Sequence, residues 1–145
     1  MRVEVRSEVR LTENEHKVKR AILNFFKPDV VEVIDEDYRK IIICRAEGYR
    51  SLLKLYDALR KQRILDAARS HLKKGVIGNT VVFHIHKQAA YVGKISFCTI
   101  PDKESPLGAI TFVISCSDVE RLIDWLTPMT IDGTPFYKVD PPEDP

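Results

Sequence analysis

The chain has 145 residues, 44% hydrophobic and 30% charged, with a formal net charge of +2. That length suits one domain of modal size, and the apolar content excludes wholesale disorder. Apolar runs such as 41–44 and 81–83 fall far short of the ~18 residues of a membrane-spanning helix, and the charged N-terminal stretch does not read as a signal peptide.

Residues 2–11 alternate valine or leucine with charge, interrupted by Ser7, which predicts an antiparallel strand with one wet face. Thr12 to Glu15 reads as a capping box for a helix carrying Val18, Ala21, Ile22, Phe25 and Phe26, stopped before Pro28. Val30–Ile34 and Lys40–Ala46 predict a hairpin whose second strand is central. Ser51 is the expected cap of the next helical stretch. Its stripes, Leu52/Leu55/Tyr56/Leu59 and Ile64/Leu65/Ala68/Leu72, fit either one long helix or two with a bend, ending at Gly75. Thr80–His86, Lys94–Thr99 and Ala109–Cys116 read as strands, with 88–91 ambiguous and a turn-rich loop at 101–108. A second capping box at Ser117–Glu120 opens a last helix with Val119, Leu122, Ile123 and Leu126 inward. The expected order is β-α-β-β-α(α)-β-β-β-α: an α+β domain over 1–127, with a mixed, largely antiparallel sheet and helices on one face. Residues 128–145, rich in proline, read as a loosely docked tail.

Three widely spaced cysteines (Cys44, Cys98, Cys116) in apolar stretches read as reduced core thiols and a cytoplasmic setting. Charge is segregated along the chain: residues 50–74 carry eight basic and two acidic side chains, residues 99–145 three and nine. Within the basic segment Arg60 and Arg63, and Arg69 and Lys73, are neighbours on a helix surface, joined by Lys61 and Lys74. Such a face releases counterions on meeting phosphates, so these six residues are the candidate RNA contacts, with Lys87, Gln88 and Lys94 as extensions. Gly75 to Asn79 matches no phosphate loop and reads as a helix stop and turn. His84 and His86 share a strand face at metal-like spacing, but no third ligand stands out, and no metal or cofactor is assigned. No catalytic motif is present and no catalytic residue is assigned. Two other functions fit less well. One is a protein-interaction or assembly module, meeting an acidic partner or a second copy as a homodimer. The other is a small enzyme on a phosphorylated substrate, using Asp66, His84 or His86.

Several blocks, in order, carry a family likeness: Lys61-Gln62-Arg63-Ile64-Leu65-Asp66, Ala68-Arg69, Gly78-Asn79-Thr80, Lys87-Gln88-Ala89-Ala90, Val92-Gly93-Lys94-Ile95, Ser105-Pro106-Leu107-Gly108 and Ile123-Asp124-Trp125-Leu126. Over nearly its whole length the chain resembles Uncharacterised Protein Family 0201, small archaeal proteins grouped with predicted RNA-binding proteins. The resemblance implies a fold similar to the ribosomal protein that holds 5S ribosomal RNA. It also implies that Lys61 to Arg69 and the pair Lys87-Gln88 belong to a shared site.

Overall fold

The computed structural model describes residues 1–99, 108–135 and 137–142. The alternation at the N-terminus forms strand β1 (Arg2–Arg10), with Val3, Val5, Ser7 and Val9 buried. The other strands are β2 (Val30–Glu36), β3 (Arg39–Glu47), β4 (Val76–Ile77), β5 (Thr80–His86), β6 (Phe97–Cys98) and β7 (Ala109–Ser115). They join in one sheet of order β2-β3-β1-β7-β5-β4, with β6 also on β5. Every described pairing is antiparallel. Register carries the period-two pattern across the strands: Val5 stands between Cys44 and Phe112, and Phe112 pairs with Phe83. All four are buried, and the Phe83 and Phe112 rings stack at 4.9 Å.

The helices lie over this inner face: α1 (Glu15–Leu23), α2 (Leu53–Lys61), α3 (Leu65–Lys74), α4 (Lys87–Tyr91) and α5 (Val119–Leu126). Both expected capping boxes are corrected. The cap of α1 is Asn14, whose side chain accepts from the His16 and Lys17 amides, while Glu13 accepts from the Arg10 amide. An Asx oxygen one residue before the helix reaches these amides more directly than Thr12. Asp118 takes the same role for α5, accepting from the Arg121 amide. Ser51 caps nothing: it lies in a 3-10 turn (Tyr49–Leu52) and donates to the Gly48 carbonyl. The ambiguous stretch at 88–91 is helical, and α1 ends at Leu23, short of Pro28. Within the strand expected at 94–99, only Phe97–Cys98 pairs. The loop expected at 101–108 lies outside the described residues apart from Gly108.

The proline-rich stretch after residue 127 is tied down at several points. Strands β8 (Thr130–Ile131) and β9 (Thr134–Pro135) pair as a small hairpin. Thr130 donates to Asp66 on α3 at 2.8 Å, the Arg121 Nε donates to the Asp140 carbonyl, and Val139 packs on the core. Cys44, Cys98 and Cys116 are buried.

Candidate nucleic-acid interface

Many charged residues of the sheet pair with one another. On its outer face two parallel ladders of ion pairs cross three strands. Arg6 meets Glu4, Glu4 meets Arg45 (3.3 Å), and Arg45 meets Glu32 (2.8 Å). Arg10 meets Glu8 (3.3 Å), Glu8 meets Arg39 (3.1 Å), and Arg39 meets Glu36 (2.9 Å). Opposite charges thus cancel locally on this face. His84 and His86 also lie here, His84 bonded to the Thr111 hydroxyl at 2.8 Å. Among the described residues, no group of three His, Cys, Asp or Glu could hold a metal ion.

The basic segment 50–74 is two helices rather than one. The break follows from a Schellman motif closing α2: the Arg63 amide donates to the Arg60 carbonyl and the Ile64 amide to the Leu59 carbonyl. Arg63 holds the left-handed position of this motif at φ 57°, where glycine is usual. Its guanidinium lies exposed beside the backbone of Gly133 in the small hairpin. Gln62 locks the same corner, donating to the Ile95 carbonyl at 3.1 Å and accepting from the Ile95 amide at 2.7 Å. That clamp sets Lys94 beside the turn that carries Lys61 and Arg63.

The nine candidate residues divide by what they touch. Arg60 lies over the Tyr56 ring at 3.3 Å and donates to the Trp125 and Leu126 carbonyls. Arg69 donates to the Thr127 carbonyl at 2.9 Å and pairs with Asp124 at 2.9 Å. Together the two arginines hold the C-terminal end of α5, where a helix presents its negative pole. Burial pushes the Arg60 guanidinium below its ordinary value. Lys87 is buried, ion-paired with Glu13 at 3.0 Å and donating to the Glu8 carbonyl at 2.6 Å. Its burial, partly offset by the bond to Glu13, also lowers its affinity for the proton. These three anchor the fold. Lys61, Arg63, Lys73, Lys74, Gln88 and Lys94 are exposed. Lys61 and Arg63 lie at the α2–α3 turn, and Lys94 precedes the Ile95 that Gln62 clamps there; Lys73 and Lys74 stand at the other end of α3, ~15 Å of helix away.

One cluster escaped the sequence reading. Lys17 and Arg20 on α1 lie over the Tyr91 ring of α4, at 5.8 and 5.9 Å from its centre. A cleft of about 440 Å³ opens there, with Lys17, Gln88 and Tyr91 among its lining residues. The signal was present: Lys17 and Arg20 are three residues apart on the outward face of α1. What no local pattern showed is the packing of α4 against that helix.

A family model described as RNA binding matches residues 2–116. A UPF0201 protein of Pyrobaculum calidifontis is 48% identical over 144 residues, covering 99% of this chain and all of the relative. A UPF0201 protein of Saccharolobus solfataricus is 45% identical, with 99% of each chain covered. The crystal structure of a UPF0201 protein from Methanococcus jannaschii superposes with a TM-score of 0.85 at 33% identity, covering 94% of this chain and all of that one.

Proposed function

Because this chain belongs to the UPF0201 family, we propose that it is an RNA-binding accessory protein that grips the phosphate backbone with its helical layer. Lys61, Arg63 and Lys94 form one contact group, Lys73 and Lys74 a second, and Lys17, Arg20 and Gln88 extend the surface across α1 and α4. Tyr91 offers a ring on which an unstacked base can lie. A likeness to the ribosomal fold that holds 5S ribosomal RNA belongs to the same proposal.

The observation that carries this reading is Arg63. A non-glycine residue in the left-handed region costs about 1 kcal/mol relative to glycine. Strain of this kind persists where the side chain has a use. Arg63 is exposed, with Lys61 two residues before it and the segment after Lys94 clamped to Gln62, so the use that fits is binding an anion.

Replacing Arg63 by glycine separates stability from binding. Arg63→Gly is expected to unfold at higher urea, by up to about 1 kcal/mol, while binding a mixed RNA pool more weakly. With Lys61→Glu added, the log–log salt slope on single strands should shrink by about 0.7 for every phosphate that is no longer neutralised. Unchanged RNA affinity in both variants across a salt series would remove the α2–α3 turn from the interface.

A further inference from the structure

Sheets usually protect their edges by keeping the outer strands short. One side of this sheet obeys: β4 and β6 have two residues each. The other side does not. Strand β2 has seven residues, all exposed, on both faces. Val31 and Val33 pair with the buried Cys44 and Ile42 and so point to the helix side, yet they remain 37% and 42% exposed. Val30 and Ile34, on the other face, are 56% and 38% exposed. Among the described residues no strand pairs with its outer edge, so a row of backbone donors and acceptors runs between two aliphatic surfaces.

The acids on β2 decide what can pair there. Each faces a cation on β3: Glu32 meets Arg45, Glu36 meets Arg39, and Asp35 stands opposite Lys40. Their charge is largely answered within the chain, so they do not repel every incoming strand. They do select a register. In an antiparallel pair of identical strands related by a twofold axis, opposite residues point to the same face. Centred on Glu32, the pairing sets that carboxylate against its own copy; centred on Ile34, it sets Glu32 against Glu36. Centred on Val33, every acid meets an aliphatic residue: Glu32 opposite Ile34, Asp35 opposite Val31, Glu36 opposite Val30. Val33 meets itself on the axis. The same register carries the exposed Tyr38 past the strand end toward Pro28 of the partner subunit.

We infer that β2 is the seam of a homodimer, in which a second copy of this chain pairs antiparallel about Val33 and continues the sheet across the twofold axis. The occupant is a second copy because no acid within β2 meets another acid in this register; Asp37 and Asp29, just beyond the strand ends, do face each other, and Asp29 is tied back by the Glu47 amide at 3.1 Å. The pairing also ends with two copies, since among the described residues the axis consumes the one long edge and leaves only the short ones.

The test uses the full chain. Sedimentation equilibrium should give twice 16.7 kDa at high concentration and dissociate on dilution. Val33→Lys should abolish the dimer while circular dichroism stays unchanged. Val33→Cys should form a disulfide-linked dimer under mild oxidation, because opposite residues of antiparallel strands fall within disulfide reach. Val30→Cys, opposite Glu36, should not. A single species of 16.7 kDa at every concentration, or crosslinking through position 30 but not 33, would overturn the inference. The first of these outcomes would assign the edge to a strand from a different protein.

Discussion

Arginine performs two opposite tasks in this chain, and the difference lies in what each fork can reach. Arg60 finds two carbonyls at the end of α5 and a tyrosine ring beneath it. Arg63, three residues on, is turned out by its own backbone. A lysine can keep the charge of Arg60 but not the forked bonds or the planar stacking. Arg60→Lys is therefore expected to destabilise the fold by about 1–2 kcal/mol in urea unfolding and to leave RNA affinity unchanged. Local spacing could not separate these roles. The partners of Arg60 and Arg69 lie some sixty residues downstream, and a helical projection shows only that both are basic. The same holds for Lys87, which finds its partners Glu8 and Glu13 nearly eighty residues upstream.

At the scale of elements, the α3–β4 junction is a tight passage. A Cβ at Gly75 would sit 1.8 Å from the Val82 carbonyl oxygen, which belongs to backbone and cannot swing aside. The Gly75 carbonyl also accepts from the Val82 amide at 2.9 Å. Gly75→Ala should cost about 4 kcal/mol, at the upper end of single substitutions, measured by thermal or urea unfolding. The sequence marked Gly75 as a helix stop, which is correct but incomplete, since the contact with β5 depends on tertiary packing. Strand alternation was easier to read. In β1, β5 and β7 one face is buried and the other wet, so period two is written directly into residue type. Strand β6 was overestimated because Lys94 to Ser96 are held by Gln62 and by β5's end rather than by a ladder.

Across the whole molecule, β1 joins two halves of the sheet, with β3 on one side and β7 on the other. Cys44 on β3 and Cys116 just after β7 are both buried, so each reports on one half. If the sheet opens as one unit, both thiols should alkylate at the rate of global unfolding, which mass spectrometry in mild urea can follow. Early labelling of one alone would show that the halves open separately. Burial pushes the Cys44 thiol up to about 11 from an ordinary 9.0. Above pH 9.0 the unfolded chain releases this proton first, so Cys44's contribution to stability should fall as pH climbs from 9.0 toward about 11.

The central place of β1 also sets a timetable. Its partner β3 follows within forty residues, but β7 begins at Ala109. At ribosomal speed that leaves roughly 5–20 s in which β1 has been made and one side of it has no strand to meet. During that interval the nascent chain presents a temporary edge, and closing it requires a long loop, the slow step in folding of such topologies. The alternating arginines and glutamates of β1 therefore serve before the native state exists, because charge along a waiting edge discourages pairing with the wrong chain.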